Sequence, residues 1–271
     1  MMKTLAITSG KGGVGKSNLS ANLAIALADN GKRTTVFDAD LGLANLDVVL
    51  GVRPEFTLHD VIIGEKRMTE VVQRGPGGIN YVAGGSGIEA LARMTGPQLE
   101  AFLAELSNLE SFTDYLIFDT GAGLGEDVLM FCEASDEVIL VITPEPASLA
   151  DAYAIAKTLF NRDPNKTIGV VMNMVNDEAH AKQVYARIYS ICKQFLSKSV
   201  KYIGFVRFDR EAQLLIRSRK PFLLANPNCP AARDVADIAK RVLGLSTGDQ
   251  KTSLFDRLRS AFSPSRDRKT A

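Results

Sequence analysis

Three aspartates, two lysines, a serine and a run of glycines carry the chemistry that this sequence offers. Gly10-Lys11-Gly12-Gly13-Val14-Gly15-Lys16-Ser17 fits G-x-x-x-x-G-K-[ST], a loop that wraps phosphates. Its glycines let backbone N–H groups turn inward, and the helix that starts after it adds partial positive charge. Lys16 is placed to reach the β- and γ-phosphates of a nucleotide, and the Ser17 hydroxyl to hold Mg2+, with Asn18 next in the loop. The bland alternative is a glycine-rich turn with no ligand. Lys11 has no part in the ordinary pattern, so a second lysine is left to explain.

The acids lie where a nucleotide site needs them. "FDADLGLANLD" puts Asp38 and Asp40 at the end of an apolar run, where carboxylates can stand behind a metal and orient an attacking water. One of them could instead cap a turn or helix. Asp119 ends the apolar run of "YLIFDTGAG" and is expected to support Mg2+, directly or through water. Asn173, at the end of "GVVMN", can hydrogen-bond a base edge, although an asparagine there is often only a turn residue.

Elements that could position these residues follow in order. "TLAIT" reads as a strand running into the glycine loop, and "SNLSANLAIALADNG" as a helix with Leu19, Leu23, Ala26 and Leu27 on one face. "RTTVFDAD", "INYVAGG", "DYLIFDTGAG", "EVILVITP", "TIGVVMNMV" and "VKYIGFV" read as strands. "GPQLEAFLAELSNL", "ASLADAYAIAKTLF", 177–195, 211–217 and 231–243 read as helices. This alternation predicts an α/β fold, one doubly wound, mostly parallel sheet flanked by helices, with ligands outside the carboxyl ends of its strands.

Net charge is +1, so no global field points to nucleic acid. The three cysteines are far apart, which suggests reduced core thiols and neither a disulfide framework nor an iron–sulfur or zinc site. The opening residues are too short in apolar run for a signal peptide, and no run approaches the ~20 residues of a spanning helix. These features give a cytoplasmic protein.

After Gly244 the composition changes. Residues 1–244 are read as the ATPase domain, 245–251 as a polar linker and 252–271 as a basic amphipathic tail. In "SLFDRLRSAF", Leu254, Phe255, Leu258, Ala261 and Phe262 share one stripe, and from Lys251 onward there are six basic and two acidic residues. Such a helix can lie on a bilayer with Leu254, Phe255, Leu258 and Phe262 inserted. The alternative is that it packs on its own domain or on a partner.

Together these residues resemble the deviant Walker A (MinD/ParA-type) ATPases, a P-loop NTPase family whose loop reads K-G-G-x-G-K-[ST]. More closely they resemble its FlhG branch, also called FleN or YlxH, regulators of flagellar number and placement. That likeness rests on "SGKGGVGKSN", "DADLGLANLDVVLG", "YVAGGSG", "DYLIFDTGAG" and "TPEPASLADAYA". The resemblance implies ATP or ADP with Mg2+, and an ATP-bound homodimer in which Lys11 reaches the partner's phosphates. It gives Gly10, Gly12, Gly13, Val14, Gly15, Lys16, Ser17 and Asn18 to the nucleotide, Asp40 to the attacking water, and Ser17, Asp38 and Asp119 to the metal. It places Asn173, with Arg207 and Asp209, around adenine, and Glu145 and Asp151 at the dimer face. Family members usually carry proline where this chain has Arg207-Phe208.

The tail resembles the family's membrane-targeting helix, which implies peripheral residence on the inner leaflet in the ATP state. Implied partners are the GTPase FlhF, flagellar basal-body proteins and a transcription factor. Many members begin with an extension that stimulates FlhF, whereas here the first strand starts at Lys3. A MinD-type division-site ATPase and a ParA-type partition ATPase are the neighbouring readings. DNA binding is not expected, since Arg217, Arg219 and Lys220 form the best basic cluster. A metabolic ligase or synthetase would leave Lys11 and the tail unexplained.

Overall fold

The computed structural model describes residues 2–40, 45–85, 96–244 and 253–262. Its strands are β1 (Lys3–Ser9), β2 (Thr34–Ala39), β3 (Gln73–Arg74), β4 (Asn80–Val82), β5 (Tyr115–Ala122), β6 (Glu137–Ile142), β7 (Thr167–Val175) and β8 (Lys201–Arg207). The helices are α1 (Lys16–Asp29), α2 (Leu46–Leu50), α3 (Leu58–Ile62), α4 (Met68–Val71), α5 (Gly96–Ser107), α6 (Glu126–Ala134), α7 (Pro146–Arg162), α8 (Glu178–Leu196), α9 (Arg210–Arg217), α10 (Phe222–Ala225), α11 (Pro230–Gly244) and α12 (Leu254–Phe262).

The strands form one sheet in the order β3-β4-β2-β5-β1-β6-β7-β8. All neighbours are parallel except β3 and β4. The runs are continuously apolar because both faces are covered. On β5, Leu116 and Phe118 enter one core while Tyr115 and Ile117 enter the other, and β6 alternates likewise. One core holds Phe37, Phe118 and Phe131, whose rings pack 5.0–5.9 Å apart. The other holds α1 and α11 against the opposite face.

The strands and longer helices lie close to where the residue pattern puts them, with one exception. The residue pattern places no helix between β5 and β6, yet α6 is there. Its signal is Glu126-Asp127 in the first turn, favourable to the helix dipole, followed by Val128, Leu129, Phe131 and Cys132 buried on one side. The short helices α2, α3, α4 and α10 and the antiparallel edge strand β3 are also additions.

The tail helix forms and docks on its own chain. Leu254 and Leu258 are fully buried in the core beside α5 and α6, with Phe255 and Ala261 packed against it. Its charges find acids in cis. Arg257 pairs with Asp136, Arg259 with Glu100 at 2.8 Å, and the Leu254 N–H donates to Glu110. Of the four residues expected at a membrane, Phe262 has its side chain outside the described residues. Among the described residues, no helix is long and apolar enough to cross a membrane.

Candidate functional site

β1 stops at Ser9 because the next residues must turn around a ligand rather than extend. Gly13 and Gly15 have φ of +77° and +93°, the left-handed region that glycine enters without strain. At Gly15 a Cβ would lie 2.4 Å from the Asn173 amide nitrogen, so close approach as well as conformation demands glycine. Gly10 is needed for a different reason, since a Cβ there would sit 2.2 Å from that of Asp151 on α7. The loop is thus wedged between β7 and α7 before α1 begins at Lys16.

Register on adjacent strands brings the acids together. Asp38 on β2 pairs with Asp119 on β5, so the two carboxyls stand side by side under the loop. Asp119 is buried and accepts from the Ser20 hydroxyl at 2.8 Å and from Ser17. Burial pushes its pKa to about 6, against those hydrogen bonds and the Lys16 charge. Asp38 is 1% exposed, and burial with the neighbouring Asp119 charge raises it to about 8. Its two oxygens accept from the backbone N–H groups of Asp40 and Leu46 at 3.2 and 3.1 Å, so it also ties down the start of α2. Lys16 is buried among these acids, and burial lowers its pKa. Asp40 lies near Gly121 on β5, its Oδ1 3.4 Å from where a Cβ would stand.

A cleft of about 960 Å3 opens at the carboxyl ends of the strands. Gly12, Gly13, Gly15, Lys16, Ser17, Asn18, Asp40 and Asn173 line it. Its far wall is apolar, from Val206, Phe208, Ile216, Phe222 and Val235. Those apolar wall residues, like Asp127 and Met174, escape motif reasoning because no spacing rule marks them. The clue at Met174 is structural: a non-glycine residue at φ +58° where β7 slips register.

Asn173, Arg207 and Asp209 lie beside the cleft, but each already has a structural duty. The Asn173 amide donates to the Val14 carbonyl at 2.7 Å and so clamps the glycine loop. Arg207 grips buried Asp234 on α11 through two guanidinium hydrogen bonds of 2.8 and 2.7 Å. Asp209 caps α9 and accepts from Ala231 N–H, which ties α9 to α11. Lys11 turns away from its own loop. Its ammonium meets Glu145 Oε2 at 2.9 Å on the exposed rim, a contact that holds its pKa above the usual lysine range. Asp151 lies behind Gly10 and adds a smaller attraction.

The residues fit Mg2+ held together with phosphate. Among the described residues no group of three His, Cys, Asp or Glu side chains could hold a metal alone. Instead one hydroxyl, Ser17, touches one buried carboxyl, Asp119, with a second acid behind it. Mg2+ commonly takes one or two protein ligands and completes its shell with phosphate oxygens and water. The raised pKa values show that burial disfavours the charged forms of Asp38 and Asp119, a cost that a bound cation would relieve.

Comparisons with known proteins agree with this geometry. The family model ParA, described as NUBPL iron-transfer P-loop NTPase, matches residues 1–243. Antiactivator FleN of Pseudomonas aeruginosa is 37% identical over 242 residues, 89% of this chain and 86% of that protein. Flagellum site-determining protein YlxH of Helicobacter pylori is 37% identical over 249 residues, 91% and 84%. Among solved structures, the cell division protein MinD of Aquifex aeolicus superposes with a TM-score of 0.73 at 26% identity, covering 91% of this chain and 99% of that one. Iron transfer finds no support in the cysteines, which are free and buried at Cys132, Cys192 and Cys229.

Proposed function

The chain belongs to the ParA family of P-loop NTPases, and from that premise we propose that it is a dimerising ATPase, a membrane-associated switch that sets flagellar number and placement. The observation that carries the switch is the division of labour between two lysines. Lys16 is buried in its own site, while Lys11 stands on the rim, tied to Glu145. A single chain leaves Lys11 outside its own cleft, and a second copy can bring such a lysine across the cleft mouth to the phosphates. Glu145 holds that lysine until the partner's phosphates compete for it.

Asn173 supports ATP as the nucleotide. One N–H of its Nδ2 is spent on the Val14 carbonyl, and its Oδ1 remains able to accept from a base. An acceptor there suits the amino group of adenine and opposes the carbonyl of guanine. Ser17 and Asp119 would hold Mg2+, which would supply charge neutralisation to the phosphates. Asp40 orients the attacking water, and Asp38 fixes the loop that carries Asp40. Arg207 and Asp209 shape the base end of the cleft by joining β8, α9 and α11.

The tail is the output. The loop Gly121–Gly125 lines the cleft and leads straight into α6, and α6 carries α12 on its outer side. Closing the cleft on ATP and a second chain shifts α6 and frees the tail. Two freed tails then bind a membrane better than one by raising effective concentration. This places the protein in the cytoplasm, peripheral to the inner leaflet in its ATP state, with flagellar proteins such as FlhF or an activator of transcription as partners. Vesicle co-sedimentation with ATP and with ADP tests the switch, and equal binding in both states would sink it. For the biological role, a deletion strain complemented with Lys11→Ala or Asp40→Ala should miscount or misplace its flagella. Normal flagella in the deletion strain itself would reject it.

A further inference from the structure

The amino end of the sheet, opposite the nucleotide cleft, carries a second concavity of about 620 Å3. It is lined by Lys32 and Arg33 after α1, Arg74 on β3, the glycine turn at Gly77 and Gly78, and Asn80. Arg33 is held by Asp114 and by the Ser111 carbonyl, so it forms wall rather than free charge. Lys32 and Arg74 are exposed and make no salt bridge among the described residues; Asp114, which feels the Lys32 charge weakly, is hydrogen-bonded to Arg33. Asn80 is 9% exposed as a residue, lines the concavity, and its side chain makes no hydrogen bond among the described residues. Two exposed cations outside any salt bridge, with an amide unbonded among the described residues, in a glycine-walled cleft suit a phosphate oxygen.

The tail begins at this same end. Arg241, near the end of α11, donates to the Ile203 carbonyl close to the start of β8. At the other side of the linker, Leu254 N–H meets Glu110, and Arg257 meets Asp136, which is bonded to Thr4 at the start of β1. A tail helix lying in a bilayer from that origin brings the amino end of the sheet toward the lipid surface, and Lys32 and Arg74 with it.

We propose that this cleft is a second membrane contact, one that takes the phosphate of an anionic lipid headgroup and orients the domain with its nucleotide cleft away from the bilayer. The inference rests on the membrane reading of the tail and adds to it a lipid preference that the tail's own arginines do not set alone. The test is co-sedimentation of the full chain, with ATP and Mg2+, on phosphatidylcholine vesicles with and without phosphatidylglycerol. Removing each cation should weaken binding to the anionic vesicles about fivefold, and Lys32→Ala/Arg74→Ala about 25-fold, with little change on neutral vesicles. ATPase rate and circular dichroism should stay as in the unsubstituted chain, since the cleft lies at the opposite end of the sheet. Lys32→Arg/Arg74→Lys should retain binding. Equal affinity and equal salt dependence for Lys32→Ala/Arg74→Ala and the unsubstituted chain would overturn the cleft while leaving the tail reading intact. No sedimentation of the unsubstituted chain on either vesicle would overturn both.

Discussion

Truncating the buried leucines of α12 distinguishes a detachable tail from a permanent part of the core. Leu254 and Leu258 are 1% and 0% exposed. In a core that stays assembled, Leu→Ala costs about 2–5 kcal/mol at each site, or roughly 4–10 kcal/mol for a pair that adds. A docked helix obeys a different limit, because once it has left nothing more can be lost. Burying two leucines contributes about 3–6 kcal/mol, the packing of Phe255 and Ala261 and the ion pairs add to it, and ordering nine residues opposes them, so docking is a small difference between large terms. Leu258→Ala, Leu254→Ala/Leu258→Ala and truncation after Gly244 should therefore lower the urea-unfolding free energy to one common plateau. Proteolysis within the tail should rise about tenfold or more in the substituted chains, and amide exchange should quicken on the outer side of α6. Additive losses beyond about 4 kcal/mol, or a truncated chain that does not fold, would refute the reasoning.

Three further outcomes follow from the site. Without nucleotide, Asp38 binds a proton in the folded chain that it has given up in the unfolded one, between its ordinary 3.8 and about 8. Stability from this group is complete below about pH 4 and is lost as pH rises through 8, with about 2 kcal/mol going between pH 6 and 8; urea titrations should show that drop shrink in Asp38→Asn. Asn173→Ala removes both the clamp on Val14 and the acceptor for the base. Calorimetry should find ATP binding weakened about 10- to 100-fold and the ATP-over-GTP preference reduced. Arg207→Ala leaves Asp234, 5% exposed, without its cation and should cost about 2 kcal/mol in thermal unfolding. The KM for ATP should change little, because the guanidinium is spent on α11.

The nucleotide loop was legible in the sequence because its chemistry is local. Strand, glycines, Lys16, Ser17 and helix lie within a span that one spacing rule covers. Asp119 was legible for a related reason, since a buried parallel strand reads as an unbroken apolar run and its end is visible. Asp38 was less so: its pairing with Asp119 depends on the order β2-β5, which no spacing encodes. Arg207 and Asp209 lie at the cleft, and their further bonds to α9 and α11 come from tertiary packing that no spacing encodes. The apolar wall of Ile216, Phe222 and Val235 was hidden because core residues and cleft residues share one composition. For the tail, amphipathicity announced that the face must be covered, but not by what. A bilayer and the groove beside α5 and α6 offer Leu254 and Leu258 the same thing.

That equivalence is what makes α6 the informative element, although its own sequence passes unnoticed between two strong strands. Nine residues of helix span about 13 Å and move as a rigid piece. The amino end of this piece carries Asp127 and Val128 into the nucleotide cleft, and its flank carries the tail. Beyond its carboxyl end, Asp136 is bonded to Thr4 at the base of the sheet and to Arg257. The tail is thus held at one point fixed to the sheet and along one helix that also lines the cleft. If α6 shifts while Asp136 does not, the leucine face is pulled from its groove while the arginine remains, and the helix peels from its apolar side. Acids that pair with Arg257 and Arg259 in the docked state present the same charge as an anionic bilayer, so release exchanges like for like. A switch between two such similar surfaces needs only a small bias.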